Sequence, residues 1–189
     1  MTRVLCLHGC RQSKDVFESI LKPLVKMSEK YDVNFYFIEG MYDCIDHGKT
    51  WYNKPLIIED IGKINYDPEL IKECMAQVDQ FIIENNITVL LGFSQGGNVI
   101  DAYLRSDCLG RMKIEKAVII SGYSFIYPDV DLLLDTPLLS IFSPMDEIVR
   151  PEFKPVLYKN IEEIEHDKGH KIPTRKPILR RICEFLSKV

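Results

Sequence analysis

Leu90-Leu91-Gly92-Phe93-Ser94-Gln95-Gly96-Gly97 joins an apolar run, residues 88–91, to a segment of helical length. It matches Gly-x-Ser-x-Gly, the pattern of a serine set on a sharp strand-to-helix turn. The spacing has a steric cause. A serine held in a strained backbone conformation at so tight a turn leaves no room for side chains two residues before and two residues after it. Gly97 further lets the helix approach its strand closely. A dinucleotide-binding fingerprint fits less well, because Ser94 stands where its middle glycine belongs and the motif lies mid-chain.

Outward from this stretch, short apolar runs recur at residues 3–7, 33–38, 88–91, 117–121, 138–142 and, more weakly, 161–165. Helical patterns lie between them. Ser13 is placed to cap a helix whose apolar face is Phe17, Ile20, Leu21, Leu24 and Val25, with Pro23 expected to kink or shorten it. Asp67-Pro68 opens a second helix carrying the stripe Leu70, Ile71, Cys74, Met75, Val78, Phe81 and Ile82. A third follows residues 88–91, another is expected after 138–142, and Thr174 is positioned to cap a last one that turns Ile178, Leu179, Ile182, Phe185 and Leu186 inward. Strands alternating with helices predict an α/β fold with a mostly parallel sheet and helices on both faces. Residues 39–66 and 122–136 lack clear periodicity and are expected to be loops that cover or wall a site.

Composition narrows the partner. The chain has 189 residues, 46% of them apolar. A chain of this length buries roughly 70% of its unfolded surface, so a single domain over residues 1–189 is expected without staples. With 24 Lys plus Arg against 28 Asp plus Glu the net charge is -4, which argues against nucleic acid or an anionic membrane surface as partner. A small molecule is the expected partner. No apolar run reaches the roughly 18 residues of a membrane span, and residues 4–7 are too short a run for a secretory signal. The six cysteines, Cys6, Cys10, Cys44, Cys74, Cys108 and Cys183, contain no Cys-x-x-Cys pair and read as reduced thiols of a cytoplasmic protein. Cys6-Leu7-His8-Gly9-Cys10 offers three metal-ligating side chains, but no second cluster completes a four-ligand site, so neither a metal nor another cofactor is expected.

A serine hydroxyl is a weak nucleophile unless an imidazole takes its proton, and the imidazole needs a carboxylate to fix its tautomer. For a serine on such a turn the chain order is serine, acid, histidine, each beyond the C-terminal end of a strand. His8 and His47 precede Ser94, which leaves His166, at the expected end of the last strand, and His170, in the loop before the last helix. His170 is preferred. For the acid, Asp146 lies in the loop beyond residues 138–142, with Glu147 as its neighbouring alternative and Asp135 at the wrong end of that strand. The two backbone N–H groups needed to hold an oxyanion fall on Gln95 and on Cys10, the residue after His8-Gly9. Trp51 is the candidate substrate-facing aromatic, with a packing anchor as the equal alternative. The basic run from Lys168 to Arg181 reads as the solvated face of the last helix.

These stretches carry a resemblance. Leu5-Cys6-Leu7-His8-Gly9-Cys10-Arg11-Gln12-Ser13, the pair Trp51-Tyr52, Gly92-Phe93-Ser94-Gln95-Gly96-Gly97, Asp146 with Ile148-Val149, and Gly169-His170-Lys171-Ile172-Pro173 resemble the Family of Serine Hydrolases (FSH) group of small α/β-hydrolases, which includes the OVCA-like proteins. The resemblance implies an α/β-hydrolase core without a large cap domain. It also implies hydrolysis of carboxylic esters, through a triad that maps onto Ser94, Asp146 and His170. The same machinery serves thioesterases and acyl-protein thioesterases, and a hydrolase-fold protein that binds a ligand without turnover is the alternative from another class. Two departures stand out: Ser143-Pro144 where such enzymes usually have Gly, and Cys10 where a larger apolar residue is common. The second bears on the width of the oxyanion pocket, and would make Cys10 an oxidation target if exposed.

Overall fold

The computed structural model describes residues 1–44, 48–53, 61–106, 114–128 and 133–187; His47 and Cys108 lie outside the described residues. In chain order the elements are β1 (Thr2–Leu7), α1 (Lys14–Ser28), β2 (Val33–Ile38), β3 (Tyr42–Asp43), β4 (Lys49–Thr50), α2 (Pro68–Asn85), β5 (Val89–Phe93), α3 (Gln95–Arg105), β6 (Lys116–Ile120), β7 (Leu138–Phe142), β8 (Ile161–Glu165) and α4 (Lys176–Ser187). Six of the strands form one sheet in the order β2-β1-β5-β6-β7-β8, every neighbouring pair parallel.

The inner strands β1, β5, β6 and β7 are apolar on both faces because helices cover both. Along each strand, side chains alternate between faces. Val4, Cys6, Val89, Leu91, Val118, Ile120, Leu139 and Ile141 pack against Phe17, Leu21 and Leu24 of α1 and Leu179, Ile182 and Phe185 of α4. Leu5, Leu7, Leu90, Ala117, Ile119 and Leu138 face α2 and α3 instead, meeting Ile71, Met75, Val78, Val99, Ile100 and Leu104. Edge strand β8, Ile-Glu-Glu-Ile-Glu, is half-exposed, and its charges blunt the open edge against pairing with another chain. No separate cap layer lies over the sheet among the described residues.

Connectivity creates the site. The chain leaves β1 toward β2 on one side, then returns to build β5 to β8 on the other, so the strand order reverses between β1 and β5. The carboxyl ends of two strands at such a reversal are where α/β sheets open their ligand-binding crevice.

Several local expectations change. Ser13 and Asp67 cap α1 and α2 through their side chains as read from sequence. Helix α1, however, continues unbroken past Pro23. The proline faces solvent, where water can take the carbonyl it leaves unpaired, while Phe17, Leu21 and Leu24 hold the opposite face down. In place of the helix expected after β7 there is a single 3-10 turn, Pro151–Phe153, because prolines 144, 151 and 155 deny that segment its amides. Helix α4 starts at Lys176, so Thr174 lies one position too early to be its cap. The short hairpin β3-β4 arises inside the segment read as irregular and docks on the loop after β1 through a Gln12–Lys49 bridge.

Space at the turn after β5 is limiting. A Cβ at Gly96 would stand 2.2 Å from the Leu7 carbonyl oxygen and 2.6 Å from that of His8, and one at Gly92 would stand 2.6 Å from backbone of Gly96. Backbone cannot yield as a flexible side chain can. Gly96→Ala should therefore destabilise the fold by about 3 kcal/mol, the upper range for an inserted methyl in a packed interior. Urea unfolding measures it, and an unchanged midpoint would contradict the close approach of β1 to this turn.

Candidate active site

Ser94 occupies the turn between β5 and α3 with φ 53° and ψ -118°, left-handed backbone that a residue with a side chain adopts only under constraint. The constraint is visible. Its N–H donates to Ile120 O at 2.9 Å and its carbonyl accepts from Asn98 N at 3.1 Å, so both peptide groups are fixed to neighbouring elements. The residue is 9% exposed.

Ser94, His170 and Asp146 are joined by hydrogen bonds. His170 Nε2 lies 3.0 Å from Ser94 Oγ, and His170 Nδ1 lies 2.8 Å from Asp146 Oδ2. With a carboxylate facing Nδ1, that nitrogen carries the proton and Nε2 offers its lone pair to the serine hydroxyl. Phe93 supports the imidazole, ring centroids 4.9 Å apart. Asp146 is 4% exposed, and its other oxygen, Oδ1, accepts from Ile148 N at 3.0 Å and Val149 N at 2.8 Å. Burial alone would raise its pKa, but the bond from His170 and those two amides outweigh it and hold the carboxyl below the ordinary range. Glu147, the alternative acid, is exposed, and Asp135 pairs with Lys159 at 2.6 Å in the segment leading into β7.

The other histidines are placed elsewhere. His166 is buried and accepts from Lys168 N through Nδ1 at 3.2 Å; burial lowers its pKa. His8 is wholly buried beneath the first loop, its Nδ1–H donating to Gly9 O at 2.8 Å and its Nε2 accepting from Gly40 N at 2.9 Å. Desolvation lowers its pKa, so it is a neutral strut at pH 7.

Cys10 and Gln95 stand at the two loops flanking the crevice. The amides beside Cys10 already have acceptors: Gly9 N donates to Gln12 Oε1 at 2.9 Å, Arg11 N to Lys49 O at 2.8 Å and Gln12 N to Gly9 O at 3.2 Å. Gln95 begins α3, whose first amides have no intrahelical partner and carry the positive end of the helix dipole. Burial pushes the Cys10 thiol up to about 11, so the sulfur is protonated at neutral pH and lacks the thiolate an oxidation target needs.

Trp51 is a correction. It is wholly buried, its Nε1–H donates to His8 O at 2.8 Å and its ring lies 5.0 Å from the His8 ring, so it anchors the first loop from below instead of facing a substrate. Beside it, Gln95 Oε1 accepts from Thr50 Oγ1 at 2.8 Å and Trp51 N at 3.2 Å, tying the segment after β4 to the start of α3. A buried polar network missed in the sequence continues inward: Tyr52 Oη donates to Asn98 Oδ1 at 2.9 Å and lies 2.8 Å from Tyr123 Oη, and Asn98 Nδ2 donates to Tyr123 O at 3.1 Å. Tyr123 and Ile61 then pack on Val149, so both irregular segments reach the Asp146 loop. Two of the basic residues of the C-terminal region face acids: Arg175 pairs with Asp167 at 2.9 Å and Arg181 with Glu162 at 2.5 Å.

A parallel sheet with a serine on a strained strand-to-helix turn, met by a histidine and an aspartate from later strands, defines the α/β-hydrolase class. Within it, the chain belongs to the family described as Serine hydrolase (FSH1), whose model matches residues 1–182. Among relatives, an esterase of Caenorhabditis elegans is 28% identical, the match covering 97% of this chain and 92% of that protein. Family of serine hydrolases 2 of Saccharomyces cerevisiae is 25% identical, covering 98% of each. Among solved structures, a variant of SOBER1 from Arabidopsis thaliana superposes with a TM-score of 0.73 at 19% identity over 98% of both chains. A carboxylesterase from Mesorhizobium loti gives 0.73 at 18% identity over 98% of this chain and 88% of the other. These two structures share the fold.

Proposed function

We propose that the protein is a carboxylesterase that cleaves short- to medium-chain acyl esters through an acyl-enzyme on Ser94. The carrying observation is the unbroken hydrogen-bond chain from Ser94 Oγ through His170 to Asp146. Ser94 attacks the ester carbonyl as His170 Nε2 takes its proton, and His170 then gives that proton to the leaving alcohol. Water enters, His170 activates it in the same way, and the acid is released. Asp146 stays ionised and stabilises the imidazolium. The oxyanion is received by the amides of Gln95 and Cys10, the second favoured because its neighbours on both sides are engaged within the fold. Esterase-named relatives and the lack of a separate cap layer among the described residues support small, accessible esters as substrates. No described helix is long and apolar enough to cross a membrane.

The test is labelling with a fluorophosphonate, followed by p-nitrophenyl esters of rising acyl length beside matched thioesters. The expected result is covalent labelling at Ser94 and turnover that favours esters of short to medium chain. A strong thioester preference would move the assignment to a thioesterase, and a protein that neither labels nor turns over any ester would refute the hydrolytic reading.

A further inference from the structure

The loops bearing Asp146 and His170 leave adjacent strands, β7 and β8, and are joined at one buried residue, Ser143. Ser143 Oγ accepts from Met145 N at 3.2 Å, inside the acid loop, and from Gly169 N at 3.2 Å, inside the histidine loop. Its carbonyl accepts from Asp146 N at 3.1 Å. Ser143 is wholly buried, so its acceptor is screened from bulk water. The two turns are also in close approach here: Gly169 has φ +61°, and a Cβ on it would stand 3.2 Å from Met145 O. Below this point the strands are linked by His166 N donating to Phe142 O at 3.0 Å, and above the sheet Ser143 adds a side-chain hydrogen bond between the two loops beside the Asp146–His170 pair itself.

We propose that Ser143 is a positioning residue, whose hydroxyl clamps the Asp146 loop to the His170 loop and so sets the geometry of the Asp146–His170 hydrogen bond. The idea rests on the hydrolase reading above. A 2.8 Å bond between residues 24 apart in sequence depends on how the two loops stand to each other, and glycine at 143 would supply no side-chain oxygen to hold them. Phe93 supports the imidazole from its face, so loss of the clamp loosens His170 without releasing it. Misplacement of a reacting group by about 1 Å lowers rates by up to about 100-fold.

The experiment compares Ser143→Ala and Ser143→Cys with wild type; the cysteine keeps the branching of the side chain with a somewhat larger sulfur that accepts hydrogen bonds poorly. Ser140→Ala, which removes another buried hydroxyl from β7, serves as the comparison. Readouts are kcat and KM for a p-nitrophenyl ester, the thermal midpoint, and the low-field proton NMR signal of His170 Nδ1–H. Expected for both Ser143 variants is a kcat lowered by about 10- to 100-fold with KM within about twofold, and a weakened or lost low-field signal. Ser140→Ala should keep both. Wild-type kcat in either folded Ser143 variant, or a loss of kcat with the proton signal intact, overturns the proposal. Should Ser143→Ala fail to fold, Ser143→Cys decides alone. The proton signal reads the Asp146–His170 pair without any turnover, so an inert wild type would refute the esterase reading while the signal still decides the role of Ser143.

Discussion

Ser94→Ala should lower kcat/KM for a p-nitrophenyl ester by about 10⁴ to 10⁶ and leave the fold intact. In the proposed mechanism the hydroxyl oxygen forms the acyl bond, and neither of two other nucleophilic groups can replace it: the Cys10 thiol is protonated, and His170 is committed to Asp146 on one side. What remains is binding and the oxyanion amides. Stability should change little, since alanine keeps the Cβ and both backbone hydrogen bonds, to Ile120 O and from Asn98 N. Ser94→Gly separates the two quantities. It removes the Cβ from a backbone at φ 53°, so it should be equally inactive yet more stable than Ser94→Ala by about 1 kcal/mol. More than 1% residual activity in either variant would point to a different nucleophile.

Asp146→Asn should cost about 10⁴ in kcat through the wrong tautomer of His170. The geometry dictates how. Oδ1 of residue 146 accepts two backbone amides, from Ile148 and Val149, so an asparagine keeps its oxygen there and turns its NH₂ toward His170 Nδ1. Nδ1 must then accept, the proton moves to Nε2, and Nε2 can no longer take the proton of Ser94. The same substitution alters acid stability. Because the folded carboxyl titrates below its ordinary value, its stabilisation is complete above the unfolded pKa of about 4 and is lost as pH falls through the lower folded pKa. The wild type should lose stability over that acid window, and Asp146→Asn should lack this component. Urea midpoints between about pH 2 and pH 6 measure it, and parallel curves for the two proteins would contradict a carboxylate stabilised in the fold.

The parts read well from sequence were those with strong local physics. Gly92-Phe93-Ser94-Gln95-Gly96 identified its own turn because only such a spacing relieves the contacts of Gly92 and Gly96. Chain order then selected Asp146 and His170 from few candidates, and the structure places His170 within hydrogen-bonding distance of Ser94 on one side and of Asp146 on the other. Other features depend on partners distant in the chain. Two-residue strands such as β3 and β4 have no periodicity to detect, and their register comes from docking on Gln12. The sequence left Trp51 evenly between a substrate wall and a packing anchor, because the group that decides it, the His8 carbonyl, lies 43 residues earlier. Pro23 broke a local rule, but tertiary packing on the other face of α1 overrode it.

The proposed nucleophile and its proposed base hang from strands of unequal security. Ser94 follows β5, flanked by β1 and β6 in the middle of the sheet, whereas His170 follows β8, at the rim, with ladder bonds on one side only. Its glutamates meet partners such as Lys154 and Arg181 near the surface, and pairs of that kind add little to stability. Rim strands with few buried contacts open at lower free energy than the centre. Warming should therefore detach the base from the nucleophile while the centre of the sheet is still closed, so this protein falls silent by fraying, and regains activity on cooling, at temperatures below those that melt its core.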